Sequence, residues 1–229
     1  MEDLIKSYYN ENKIKLHKLF ENIEILINGR ICHSSIILLK ILCDLEKIEN
    51  YLEIGVHNGG SMSLLLTNNN SKNLFGIDLF EDMYNIDKHM NSEKYNKYQY
   101  FKRDNLSIDK TTNNLNHIKE NFHNMSSISL IQGNSYYNET EEKFKNTCNF
   151  ELDLLFIDGD HTLDGVQNDF ERYNKYVKKN GYIIFDDYHH EIIKNYCDTL
   201  LTNNDNFEII TKFQSYNSNA IDLLVKKLA

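Results

Sequence analysis

The chain has 229 residues, of which 41% are hydrophobic, 12% aromatic and 26% charged. That composition is globular and excludes a disordered chain, a collagen-like repeat and a disulfide-framed mini-domain. The formal net charge of −9 repels a phosphate backbone and an anionic membrane surface alike, which argues against nucleic acid and membrane as partners.

In the first thirty residues, Ile14, Leu16, Leu19, Phe20, Ile23, Ile25 and Leu26 recur among charges at a rough helical spacing. We read residues 1–33 as a helical extension that packs on the domain or on a second copy of the chain, as in a homodimer. Nothing here has the pattern of a signal peptide, and the longest apolar stretch, Ile36 to Cys43, is broken by Lys40 and too short to span a bilayer. A cytoplasmic protein is expected. A second helix is predicted from Ser34 or Ser35, as N-cap, to about Leu45. Residues 34–229 form the main domain. Short apolar runs bounded by Gly, Asn or Asp then alternate with helical stretches: Tyr51 to Gly55, Leu74 to Asp78, Ile128 to Gly133, Leu154 to Asp158 and Tyr182 to Phe185. This alternation predicts βαβ units, hence an α/β fold with a parallel sheet covered on both faces.

A long polar stretch separates the second and third strands, with a helix predicted at about Asn114 to Phe122; an insertion at about 82–125 is a candidate substrate lid. After the fourth strand, Asp164 and Gln167 have capping-box spacing, and Val166, Phe170, Tyr173 and Val177 make an apolar stripe that Lys178, Lys179 and Asn180-Gly181 should close. Phe207 to Phe213 and Ala220 to Val225 read as a closing antiparallel hairpin. Cys32, Cys43, Cys148 and Cys197 lack CxxC spacing and read as thiols in a reducing compartment.

Three constellations carry chemistry. Glu53-Ile-Gly55-Val-His57-Asn-Gly59-Gly60-Ser61 runs from a strand into a helix, where glycines admit a ligand close to the backbone and free N–H groups attract an anionic or zwitterionic group. About twenty residues on, the second strand ends in Asp78, the register at which an acid accepts hydrogen bonds from ribose hydroxyls. Phe156-Ile-Asp158-Gly-Asp160-His161 and Phe185-Asp186-Asp187-Tyr-His189-His190 end the fourth and fifth strands. Neighbouring parallel strands bring these carboxylates to one edge, where a cation such as magnesium, manganese or calcium would keep them ionised. His161 stands where an imidazole can take a proton from a hydroxyl. His189 and His190 read as surface residues.

These motifs, together with Gly76-Ile-Asp78-Leu-Phe80, Ile131-Gln-Gly133-Asn134-Ser135 and Gly181-Tyr-Ile-Ile-Phe-Asp186-Asp187-Tyr188, resemble the class I S-adenosylmethionine-dependent O-methyltransferases. The resemblance is strongest to the group with macrolide-sugar methyltransferases and cephalosporin-hydroxylase-named proteins, and it covers about Tyr51 to Tyr188. It implies a Rossmann-like sheet of seven strands in the order 3-2-1-4-5-7-6 with the last antiparallel. It places Glu53, Gly55, Gly59 and Ser61 at the methionine part of the cofactor, Asp78 at its ribose, and Asn134 with Ser135 at its adenine, although many relatives carry an acid at the position of Asn134. It gives Asp158, Asp186 and Asp187 to a divalent ion, expected to be magnesium, and makes His161 the base beside Asp158. The implied acceptor is a small-molecule hydroxyl, with a sugar, nucleotide sugar or glycoside favoured over a catechol. An NAD-dependent oxidoreductase would share the glycine turn and the strand-two acid, but its Gly-x-Gly-x-x-Gly is interrupted here by His57 and Asn58, and it gives the acidic cluster no purpose. A catalytically inactive cofactor-binding scaffold is the other alternative.

Overall fold

The computed structural model describes residues 1–29, 31, 33–81, 106–202, 204–215 and 218–229. Cys32 and residues 82–105 of the expected lid lie outside them. Helices α1 (Glu2–Ile27) and α2 (His33–Leu45) precede β1 (Asn50–Ile54), α3 (Gly60–Leu65), β2 (Asn73–Asp78), α4 (Ile108–Asn121), β3 (Ser127–Gln132) and α5 (Asn138–Thr147). There follow β4 (Leu152–Ile157), α6 (Leu163–Tyr173), β5 (Val177–Phe185), α7 (Glu191–Thr202), β6 (Phe207–Gln214) and β7 (Ile221–Lys227). The strands make one sheet in the order β3-β2-β1-β4-β5-β7-β6. β1 to β5 pair in parallel, and β7 runs antiparallel to both β5 and β6.

Alternate side chains of each central strand enter opposite cores, which is why these strands are apolar almost throughout. Tyr51, Leu74, Leu154, Phe156, Ile184 and Leu224 face α1 to α4, where Phe20, Leu39, Leu64 and Leu115 meet them. Leu52, Phe75, Leu155, Ile183 and Leu223 face α5, α6 and α7 through Phe144, Phe170 and Cys197. Helix α1 belongs to the first core: Ile5, Leu16, Phe20, Ile23 and Ile27 are buried, and Tyr9 meets Phe213 of β6 edge to face at 5.4 Å. It ends at Asn28 in the left-handed region (φ 45°), with the Gly29 N–H bonded to the Glu24 carbonyl, a Schellman closure. No helix among the described residues is long and apolar enough to cross a membrane.

Several boundaries differ from expectation. Helix α2 starts at His33, which puts Ser34 and Ser35 inside its first turn. The cap of α6 is Thr162, whose hydroxyl accepts the Gly165 N–H at 3.1 Å, because Asp160 already turns the chain by accepting the Thr162 N–H and hydroxyl. Asp164 and Gln167 therefore lie within the helix, and Gln167 bonds Glu171 instead. Asn180-Gly181 does not stop α6 but marks an irregularity in β5, where the register with β4 shifts between Leu152↔Val177 and Leu154↔Tyr182 and Asn180 takes φ 64°. Helix α4 begins six residues before the expected Asn114 and packs as an ordinary crossover helix, with Leu115 and Ile118 buried.

Candidate active site

The site lies at the C-terminal ends of the parallel strands, where β1 and β4 touch. Gly55 has φ +94°, and a Cβ on it would lie 1.9 Å from the Asp158 carbonyl oxygen. Only glycine allows both that conformation and that approach. Gly59 (φ +84°) starts α3, with a Cβ position 2.9 Å from Leu115 of α4. The turn between them is tied down on every side. His57, itself left-handed at φ 52°, donates its N–H to Asp78 at 2.7 Å, and Thr111 and Asn114 of α4 donate to the carbonyls of His57 and Asn58. The other oxygen of Asp78 accepts the Phe80 N–H at 2.7 Å. Asp78 thus fixes both the β1 and the β2 turns, and its carboxylate has further lone pairs for hydroxyl donors.

Glu53 lies below this turn, fully buried, accepting from the Ser61 hydroxyl and from Tyr51 at 3.0 Å. Burial pushes its carboxyl up to about 8, against the pull of those two donors. Glu53 bonds Ser61, on the first turn of α3, so it supports the glycine turn from beneath. The connection between α1 and α2 reaches the same turn from above: Ile31 crowds Gly60 and Gly29 meets the Asn58 side chain. Motif spacing did not show that coverage.

On the far side of β2, the Asn134 side chain accepts the Tyr136 N–H at 2.9 Å, and the Ser135 carbonyl accepts from Asn168 and Tyr173 of α6. Asp169 is buried beside this segment, where burial pushes its carboxyl up to about 7. Sequence spacing had not singled it out.

The β4 and β5 tips are acidic. His161 stands between two carboxylates, its Nδ1 3.0 Å from Asp187 and its Nε2 3.4 Å from Asp158. Burial alone would lower its pKa, but the two carboxylates outweigh burial and raise it to about 11. Asp158 is pushed up by burial and pulled back by His161, while Asp187 is held down by His161, His190 and His189 against the effect of burial. Asp186 turns inward. Burial first, and then the neighbouring Asp158 charge, raises its carboxyl well above the usual range; burial and then the Asp186 charge do the same to Asp222 of β7, which faces Asp186. No N–H or hydroxyl donor reaches either oxygen of Asp222 or Oδ1 of Asp186, and the two carboxyls are buried against each other. Asp222 joins the cluster through the antiparallel pairing of β7 with β5, a long-range contact that motif spacing does not reveal. His189 and His190, expected as surface residues, turn toward Asp187, 3.7 Å from its two oxygens.

The strand tips therefore bring together Asp158, His161 and Asp187, with Asp186 behind them, and hold Gly55, Gly59, Ser61 and Asp78 at the adjoining tips. Asp187, His189 and His190 are the described residues that present three potential metal-ligating atoms to one point.

A methyltransferase-domain family model matches residues 52–188, from β1 to just past β5. The chain belongs to that methyltransferase family. The match spans the glycine turn, Asp78, Asn134, Ser135 and the acidic tips, and the nicotinamide alternative finds no counterpart in it. An uncharacterized protein, R132, of Acanthamoeba polyphaga mimivirus is 34% identical over 188 residues, 78% of this chain and 70% of its own. Among solved structures, the O-methyltransferase from Bacillus cereus in complex with SAH matches with a TM-score of 0.56 at 17% identity, covering 82% of this methyltransferase and 77% of that chain. An rRNA methylase from Streptococcus thermophilus matches at 0.51 and 11% identity, over 82% and 92%. At those identities the shared property is the fold, which serves small-molecule and RNA acceptors alike.

Proposed function

We propose that this methyltransferase moves the methyl group of S-adenosylmethionine to a hydroxyl of a small molecule, assisted by a divalent ion, and that it works in the cytoplasm. The observation that carries the proposal is His161, clamped between Asp158 and Asp187 at the strand edge that also holds the glycine turn and Asp78. The net charge of −9 favours a small acceptor over RNA.

The chain's groups fit the cofactor. The glycine turn at Gly55 and Gly59, with Ser61, would receive the amino-acid end, and Asp78 has lone pairs for ribose hydroxyls beyond its two backbone donors. Asn134 and Ser135, braced by α6, would border the adenine. S-adenosylmethionine supplies a methyl group on a sulfonium, already an activated leaving group, so the protein's task is to position the acceptor and exclude water.

A cation would find its donors around Asp187, whose carboxylate oxygen lies near the ring nitrogens of His189 and His190, with Asp158 and Asp186 alongside rather than converging on the same point. Asp187 would be its anchor, because Asp186 faces Asp222. A divalent ion there would supply positive charge to offset the carboxylates and lower the pKa of an acceptor hydroxyl. His161 accepts a proton only in its neutral form, and its two carboxylate partners hold a proton on it up to about 11. We favour a sugar hydroxyl, on a glycoside or nucleotide sugar, over a catechol; the resemblance to sugar methyltransferases supports this.

The test is methyl transfer to a panel of glycosides, nucleotide sugars and catechols, with and without EDTA, in the wild type and in Asp187→Ala. The proposal expects turnover on a sugar hydroxyl that collapses on chelation and in the variant. Turnover indifferent to both would remove the metal and leave a metal-free methyltransferase.

A further inference from the structure

We propose that Asp187, His189 and His190 form a mixed carboxylate and imidazole site for a first-row transition-metal ion, so that the metal partner comes from the manganese-to-zinc series rather than being magnesium. This rests on the divalent-ion reading above and gives it a ligand set that the acidic motifs do not contain.

The three side chains share one short segment. The chain leaves β5 at Phe185, turns through Asp187 in the left-handed region (φ 52°), and enters α7 at Glu191. That turn swings two successive histidines to the same side, with ring centroids 4.4 Å apart and planes 48° from parallel. Their ligand atoms and a carboxylate oxygen of Asp187 lie within 4.8 Å of one another. His189 Nδ1 is 3.7 Å from Asp187 Oδ1, and His190 Nε2 is 3.7 Å from Asp187 Oδ2.

These separations are too long for hydrogen bonds. They are slightly longer than the spacing of neighbouring ligand atoms around one ion: with bonds of about 2.0–2.2 Å, that spacing is roughly 2.8–3.1 Å in octahedral and 3.3–3.6 Å in tetrahedral geometry. The Ile221 N–H at the start of β7 lies 3.4 Å from His189 Nδ1; an ion at that nitrogen would take the place of this long contact, because Nδ1 has one lone pair to give.

The donor chemistry selects the ion. Magnesium prefers oxygen and keeps its waters, whereas imidazole suits iron, nickel, copper and zinc, with affinity rising from manganese to copper and falling again at zinc. Three protein ligands leave coordination positions free for an acceptor hydroxyl. His161, 3.0 Å from Asp187 Oδ2, stays beside such a hydroxyl as the group that takes its proton.

The test is a titration of chelator-stripped full-length protein with Co²⁺, read by its visible absorption, followed by addition of Mg²⁺ in large excess. The thermal shift with S-adenosylhomocysteine is recorded on every sample as an independent check of folding and of the cofactor site. The expected result is one bound Co²⁺ that excess Mg²⁺ does not displace, with affinity lowered at least about tenfold in His189→Ala and in His190→Ala, since even outer groups around a metal contribute that much. Both variants should keep the S-adenosylhomocysteine shift. Co²⁺ binding undiminished in the double histidine variant but lost in Asp158→Asn or Asp186→Asn would overturn the proposal and leave an all-carboxylate ion in its place. A wild type that binds neither Co²⁺ nor Mg²⁺, yet keeps the S-adenosylhomocysteine shift, would overturn the proposal and the divalent-ion reading together, leaving the methyltransferase assignment intact.

Discussion

The tips of β1 and β2 and the tips of β4 and β5 lie side by side in one sheet, yet they are built on opposite principles. At the first pair the turn is held by hydrogen bonds: Asp78 accepts two backbone N–H groups at 2.7 Å each, and α4 holds the glycine turn through Thr111 and Asn114. At the second pair Asp158, Asp186, Asp187 and Asp222 crowd together, several buried oxygens have no N–H or hydroxyl donor, and one imidazole is shared between two acids. On the function proposed above, the first half would be the cofactor receptor and the second, where burial raises the carboxyls of Asp186 and Asp222 and His161 pairs with two acids, the half where a proton moves.

That division makes predictions of decreasing size. His161→Ala should cut methyl-transfer kcat by about a hundredfold to ten-thousandfold, the usual contribution of a positioned base, while S-adenosylhomocysteine affinity stays within a factor of a few. Parallel turnover and calorimetric measurements would check both. Gly55→Ala should do the reverse and damage the first half. Its Cβ meets a backbone oxygen at 1.9 Å and its φ of +94° is unsuited to alanine, so denaturant titration should show a loss of about 3 kcal/mol or more.

A smaller effect concerns Glu53. Its carboxyl is raised from about 4.5 to about 8 in the fold, so the folded chain holds a proton there that the unfolded chain releases. The stability this confers is complete below about pH 4.5 and is lost progressively as pH rises toward 8. Glu53→Gln removes that titration. Its advantage over the wild type in chemical denaturation should therefore grow between pH 5 and pH 8, by on the order of 1–3 kcal/mol. A constant difference across that range would mean that Glu53 is ionised in the fold.

Much of the architecture is legible because parallel strands covered on both faces must be apolar runs ending in Gly, Asn or Asp, and Tyr51 to Gly55 and Leu154 to Asp158 are such runs. The closing hairpin is legible for a related reason, two β-rich runs about a polar turn. What local patterns miss is decided by side chains or by distant pairing. Asp160 turns the chain early enough for Thr162 to displace the expected cap of α6. Asn180-Gly181, a helix-stop signal in isolation, is absorbed by β5 because Lys178 finds Asp153 and Lys227 finds the Val177 carbonyl. Asp222 enters the acidic cluster only through antiparallel pairing. His189 and His190 are surface residues, as they read in the sequence, and only the left-handed turn at Asp187 shows that they also approach its carboxylate. For the candidate site, the glycine turn, Asp78 and the Asp158/His161/Asp187 grouping were legible; the burial of Glu53, the inward turn of Asp186 and the cover of Ile31 over Gly60 were not.

The division of labour between the two halves is tested most directly by calorimetric titration of S-adenosylhomocysteine into the wild type, Asp78→Ala and Asp187→Ala. A receptor at the β1 and β2 tips predicts binding to the wild type, at least tenfold weaker binding to Asp78→Ala, and nearly unchanged binding to Asp187→Ala. Absence of binding to the wild type, or equal losses in the two variants, would contradict it.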